Sequence, residues 1–407
     1  MVNCRICSTY IEPFMSFGKM PIANGFLTSV QIQNEYFFEL APAFCRNCEM
    51  FQLVEQPDPE KMFHENYAYF SSTSSYMQNH FKQFADSVIE SVFEGRQDPF
   101  VVELGSNDGI MLRNFKDAGI RHLGIEPSVN VANVARLEGI QTLCEFFNVE
   151  LADQIVEDHG QADSVLCANV MSHIPDLNSI AKGIKRLLKP DGMLIFEDPY
   201  LGDMIAKTSY DQIYDEHVFI FSASSVSWAF GQHDLELIDV LPQITHGGSM
   251  RYLLAPKGSH HVSHNVDDLL QKEQKQGLHK TETYDQFRQN CETSRKDLKE
   301  LLEDLKQKGQ RVVGYGATSK STTVINYCGI GPEHIESISD TTPIKHGKLT
   351  PGAHIPVKPY EDFLQNTPDY ALLFAWNHST EIFEKEKSFT AGGGKWIKFI
   401  PQVEVIE

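Results

Sequence analysis

The chain has no run of the 18 or so consecutive apolar residues that a membrane-spanning helix requires. Its opening residues, "MVNCRICSTY", lack the basic start and apolar core of a secretory signal. Both absences lead to the expectation of a cytoplasmic protein with no membrane partner. Positive charge is also scarce: 35 Lys and Arg stand against 55 Asp and Glu, a formal charge of −20 that would repel phosphate backbones and anionic lipid, so nucleic acid is not an expected partner. Cysteine is too sparse, at 8 in 407 residues, for a disulfide scaffold. Neither an internal repeat of fixed period nor a low-complexity tract is present.

What is present divides by pattern. A chain of 407 residues implies two or three domains. Residues 1–70, with "GKMPIANGF" and "EQPDPEKMF", sustain neither helical nor strand periodicity and need something besides a large core. From Ser74 or Ser75, either a plausible N-cap, Met77, Phe81, Phe84, Val88 and Val92 recur at helical spacing and open a second unit, residues 71–260. Strands "FVVEL", "HLGIE", "DSVLCAN" and "GMLIFED" alternate there with helices, the signature of a parallel, helix-covered α/β sheet, and "HDLELIDVLP" and "SMRYLLAP" read as its last strands. Residues 261–407 start with a charged, Gln-rich helical connector and end in a second α/β unit built from "RVVGYGA", "HIESISD", "DYALLFAW" and "KWIKFIP".

Four cysteines fall into two pairs, Cys4-x-x-Cys7 and Cys45-x-x-Cys48, with 37 residues between them. Paired thiolates at this spacing suit a closed tetrahedral zinc site, expected to be structural; four unrelated free thiols are the alternative. Cys144, Cys167, Cys291 and Cys328 read as packing residues.

In "VVELGSNDGIML" a glycine turn follows a buried strand, and Glu126 in "HLGIEPS" ends the next strand, where a carboxylate can accept both ribose hydroxyls of a nucleoside. The turn lacks the third glycine of a dinucleotide fingerprint, so S-adenosylmethionine is preferred over NAD. The cofactor set expected is Glu103, Gly105, Ser106, Asn107, Gly109, Glu126, Pro127 and Asn169.

Beyond "IFEDPYLGD", at the ligand-binding edge of the sheet, lies the polar stretch "YDQIYDEHVFIFS". Tyr214, Glu216 and His217 offer a hydroxyl donor, a carboxylate and a base of near-neutral pKa, whereas Asp211 and Asp215 read as solvated acids and "VFIF" as packing for the loop. A merely solvated turn is the competing reading. His173 in "NVMSHIPD" and His246 in "THGGSMR" occupy comparable positions.

The ordered set of the four cysteines, "YAYFSSTSSYM", "VVELGSNDG", "NVMSHIPDL", "FEDPYLGDMI", "YDEHVFIFS", "HGGSMR" and "GYGATSKSTTVINYCGIG" resembles, over essentially the whole chain, the bacterial sugar C-3'-methyltransferases of deoxysugar pathways. The resemblance implies a zinc-binding module, a central S-adenosylmethionine domain and a C-terminal Rossmann-like domain. It also implies a nucleotide-linked 4-keto-6-deoxysugar as substrate, dTDP- or GDP-linked, and a monomer or small homo-oligomer. On this basis His217 is expected as the base that makes an enolate. Tyr76 and Tyr214 would donate to its oxygen, Glu216 would orient the histidine or sugar, and His173 and His246 would flank the ring. Family members often carry His where Asp215 stands here. Ser319 and Lys320, at the helix start after Gly314 and Gly316, are expected to take the diphosphate, although a turn kept only for packing would look alike. A zinc-module methyltransferase acting on RNA or another small molecule is the rival, disfavoured by the acidic balance. A non-catalytic scaffold is the other.

Overall fold

The computed structural model describes residues 2–58, Met62, Ser71 and residues 75–407; Ser74 and most of "YAYFSSTSSYM" lie outside the described residues. Among its described residues the N-terminal segment has no long element. Three antiparallel strand pairs carry it: β1 (Val2–Asn3) with β2 (Tyr10–Ile11), β3 (Lys19–Pro21) with β4 (Phe37–Glu39), and β5 (Pro42–Phe44) with β6 (Phe51–Leu53). Cys4 and Cys7 lie in the first connection, and Cys45 and Cys48 in the third.

The helix Ser75–Ser91 buries Met77, Phe81, Phe84, Ala85 and Val88 against the central sheet. That sheet contains β7 (Phe100–Leu104), β8 (Arg121–Ile125), β9 (Thr142–Leu143), β10 (Ala162–Ala168), β11 (Leu188–Pro199), β13 (Leu235–Gln243) and β14 (Ser249–Pro256), in the order β13-β14-β11-β10-β7-β8-β9. From β11 to β9 the pairing is parallel; β14 and β13 run antiparallel. Parallel strands covered by helices on both faces are continuously apolar, and every residue of "FVVEL" is buried. The chain reverses direction across the sheet between β7 and β10. Their carboxyl ends form the crevice where such folds bind ligands.

Two helices, His264–Gln276 and Thr281–Gln307, form the connector. It is polar outside, yet one acid is buried: Glu273, 1% exposed, accepts from the N–H groups of Ala223 and Ser224 at the start of helix Ala223–Gly231. A carboxylate placed there satisfies orphan donors and complements the helix dipole. The C-terminal sheet comprises β15 (Val312–Tyr315), β16 (Ile338–Asp340), β17 (Val357–Pro359), β18 (Tyr370–Leu373), β19 (Lys395–Lys398) and β20 (Glu404–Ile406), ordered β17-β16-β15-β18-β19-β20. It has its own switch point, between β15 and β18.

The run "VFIF" is more than packing. Phe219 and Ile220 form β12, which pairs antiparallel with Gln52 and Phe51 of β6. The segment after the polar loop is therefore an edge strand of the cysteine module.

Candidate active site

A cavity of about 880 Å³ opens at both switch points and joins them. At one end, Gly105 follows β7 with φ +66, and a Cβ there would lie 2.3 Å from Val170 Cγ2, so only glycine lets the backbone take this path. Glu126 ends β8, 6% exposed, and accepts from the N–H groups of Asn107 at 3.0 Å and Ser128 at 2.8 Å. Burial raises its carboxyl above the ordinary range, with the two N–H donors acting the other way. A carboxylate has about four lone-pair directions, so two backbone donors leave capacity for hydroxyl groups. This acid at the cavity wall, beside a turn that a side chain would obstruct, fits the ribose of an adenosyl cofactor.

Gly105, Asn107, Glu126, Pro127 and Asn169 line the cavity; Glu103, Ser106 and Gly109 do not. Glu103 sits under the turn, where burial and the neighbouring Asp108 and Glu126 push its carboxyl well up. Ser106 packs beneath Gly124, and Gly109 against Ile140 and Ala135. These three shape the turn from behind.

The polar stretch lines the same cavity through Tyr214, Glu216 and His217. After helix Leu201–Lys207 the chain makes a 3-10 turn, Tyr210–Gln212, and then buries Ile213 through Phe221 completely. The His217 ring is held at both nitrogens: Nδ1 is 2.7 Å from the carbonyl oxygen of Gln212, and Nε2 is 3.0 Å from the Tyr214 hydroxyl. A carbonyl can only accept, so Nδ1 carries the proton and Nε2 presents its lone pair. Burial first, then neighbouring His173 and Lys320, holds this imidazole well below its ordinary pKa, and it is neutral at pH 7. His173, from the 3-10 turn after β10, stacks on it with centroids 5.3 Å apart, and burial lowers His173 to about 4.

His246 adopts a left-handed conformation, φ +54, strain of a kind that clusters at functional sites. Its carbonyl accepts from Lys320 Nζ at 3.1 Å and from Gln212 Nε2, and Gly247 beside it has no room for a Cβ against Trp376. Burial and Lys320 bring His246 to about 3. Tyr76, on the helix Ser75–Ser91, sets its ring edge-on to His378 at 5.5 Å. Ser319 and Lys320 both line the cavity, but Lys320 is directed toward His246 and the loop, and burial lowers its ammonium to about 8 against the pull of Asp211.

Asp211 and Asp215 are not solvated acids: they are 0% and 1% exposed. Asp211 Oδ2 accepts from Trp376 Nε1 at 2.7 Å, and Asp215 Oδ1 from the Ala23 N–H at 2.9 Å. Burial raises both carboxyls. They fasten the loop to the C-terminal unit and to the cysteine module respectively, work that exposure would have spared them. Two further residues were not singled out from sequence. Asn24 reaches Glu216, and Glu197, at the end of β11, gathers His80, Thr245 and Arg251, tying the helix of Tyr76 and the turn of His246 to one buried carboxylate. Against the cost of burial, His80 and Arg251 hold Glu197 at about 2.

The four cysteine Sγ atoms lie within 4.8 Å of one another, with Cys4 and Cys48 3.5 Å apart and Cys7 and Cys45 3.4 Å. Cys4 Sγ also accepts from Gln52 Nε2 at 3.0 Å and from the Ile6 N–H at 3.4 Å, outer-shell donors of the kind that support zinc thiolates. The donor set fits tetrahedral zinc.

The parallel sheet with an adenosyl-fitting turn at its switch point, joined to a cysteine cluster that fits zinc, is the fold of an S-adenosylmethionine-dependent methyltransferase. Three family descriptions match in sequence: "Putative zinc binding domain" over residues 4–63, "Methyltransferase domain" over 76–240 and "C-methyltransferase C-terminal domain" over 244–401. C-methyltransferase NovU of Streptomyces niveus is 35% identical over 99% of this chain and 96% of its own length, and the chain belongs to this C-methyltransferase family. A ubiquinone biosynthesis O-methyltransferase of Colwellia psychrerythraea is 25% identical over 36% of this chain and 64% of its own. A solved S-adenosylmethionine-dependent methyltransferase from Clostridium acetobutylicum aligns with 44% of this chain and 92% of its own, at 13% identity and a TM-score of 0.34.

Proposed function

We propose that the enzyme methylates C-3' of a nucleotide-linked 4-keto-6-deoxysugar through an enolate. The observation that carries the reading is one continuous cavity lined by Glu126, by Gly316 and by His217, whose Nδ1 is held by the Gln212 carbonyl. A ketone acidifies the hydrogen on the adjacent carbon, and a base at that carbon can take it. His217 Nε2 removes the proton, the C–H electron pair passes into the enolate, and the Gln212 carbonyl stabilises the imidazolium through Nδ1–H. The Tyr214 O–H that donates to Nε2 gives way there to the substrate C–H and turns, with Tyr76, to the enolate oxygen; His173 and His246 wall the sugar, and Glu216 orients ring or substrate. Bound S-adenosylmethionine supplies a methyl group made electrophilic by its sulfonium. The new bond would be C–C, formed at the carbon that lost the proton as the sulfur–methyl bond breaks, its electron pair staying on sulfur to leave S-adenosylhomocysteine.

The division of labour follows residues 1–70 for zinc, 71–260 for the cofactor and 261–407 for the nucleotide. The Gly316 turn and Ser319 take the diphosphate, and Lys320, whose ammonium is held on the His246 carbonyl, contributes to it through its charge. Incubation with methyl-labelled S-adenosylmethionine and a panel of dTDP- and GDP-linked 4-keto-6-deoxysugars, followed by NMR, tests the reading. Label on C-3' is expected; label on oxygen or on another carbon overturns it.

A further inference from the structure

We propose that the zinc module supplies a positioning residue to the reacting loop: Asn24, which holds the Glu216 carboxylate. The inference rests on the role given above to Glu216. Asn24 Nδ2 donates to Glu216 Oε1 at 2.6 Å, across 192 residues of sequence, and both side chains line the cavity. An amide donor to a carboxylate makes a charge-assisted bond, short and directional, and adds no charge of its own. It therefore fixes the carboxylate without competing for the proton that His217 must take.

The contact is anchored on each side. The segment bearing Asn24 is a tight turn, with the Gly25 N–H on the Ile22 carbonyl at 3.0 Å and the Phe26 N–H on the Asn24 carbonyl at 2.9 Å. Its Ala23 donates to Asp215, the residue before Glu216, and accepts from Thr322 Oγ1 of the C-terminal unit at 2.9 Å. On the far side of Glu216, the Leu53 N–H of the module donates to the Val218 carbonyl at 2.8 Å, and β12 continues the module's sheet. Asn24 thus meets Glu216 where two other module contacts already fix the loop.

The test is a ladder of variants. Asn24→Ala is expected to lower kcat about 10- to 100-fold, the range for a lost hydrogen bond to a charged group, with unchanged S-adenosylmethionine affinity. Asn24→Gln, which keeps the donor, recovers part of the loss. Asn24→Asp, the same shape with the donor removed and a like charge added, is worse than alanine. In a Glu216→Ala background, Asn24→Ala adds less than about threefold, because the interaction is already gone. Turnover is measured on whichever acceptor the wild-type enzyme methylates, so a wrong sugar assignment and a wrong role for Asn24 give different results. Amide exchange over residues 213–218, faster in Asn24→Ala, reads the same contact with no acceptor present. Wild-type kcat in Asn24→Ala, an isosteric Asp tolerated better than Ala, additive losses in the double variant, or unchanged exchange would each overturn the proposal.

Discussion

The two α/β units are built alike at their switch points and finished differently. In each, a glycine follows the first strand with positive φ, +66 at Gly105 and +88 at Gly316, and an acid ends the next strand and accepts from the glycine turn: Glu126 from Asn107, and Asp340 from Ala317 at 2.7 Å. In the central unit the turn runs on through Ser106 and Asn107, and its helix, Leu112–Asp117, starts well past the glycine. In the C-terminal unit the helix Ser319–Cys328 starts at once, Thr318 capping it by accepting from the Ser321 N–H, and Lys320 leaves the turn for the His246 carbonyl. One scaffold keeps an open loop between its glycine and its helix. The other closes its helix with its own side chain and sends its cation into the neighbour's site.

The strongest way to break this arrangement is to remove the base from the cavity that the two turns share. General-base catalysis contributes about 10²- to 10⁴-fold, so His217→Asn should lose turnover by that order while titrating normally with S-adenosylmethionine. Next come the glycines, one per unit. Gly105→Ala meets Val170 at 2.3 Å in a left-handed conformation. Strain of about 1–3 kcal/mol at such a site corresponds to roughly 10- to 100-fold weaker cofactor binding by calorimetry. Gly316→Ala meets nothing closer than Ala375 Cβ, at 3.2 Å. Its conformational cost of about 1–2 kcal/mol should raise the acceptor KM about 5- to 30-fold and leave cofactor affinity alone. A glycine variant that damages the opposite ligand would contradict the assignment of the two ends.

The smallest effect is on pH. Lys320 helps to hold His217 and His246 below their ordinary pKa values. A base must be unprotonated to act, so Lys320→Ala, by letting His217 rise, should move the acidic limb of kcat/KM to higher pH, alongside weaker acceptor binding. A limb that stays in place would show that Lys320 acts on the anion alone.

What the sequence made legible follows from how far apart the interacting residues lie. The apolar run "FVVEL", the glycine turn after it and Glu126 one strand later are neighbours in sequence as in space, and so are the two cysteines of each pair. Asp211 and Asp215 looked like solvated acids because their partners, Trp376 and Ala23, are 165 and 192 residues away. The same distance hid Asn24 from Glu216. "VFIF" was read as packing, but the strand that it joins, β6, belongs to the other end of the chain. Lys320 was visible as a lysine at a helix start; its orientation depends on the His246 turn, which no local pattern marks.

The most direct measurement of the central claim separates proton removal from methyl transfer. The enzyme is held with the 4-keto sugar and S-adenosylhomocysteine in D2O, and exchange of the C-3' hydrogen is followed by NMR. The account predicts exchange by the wild-type enzyme and its loss in His217→Asn. Exchange at an undiminished rate in His217→Asn would contradict it.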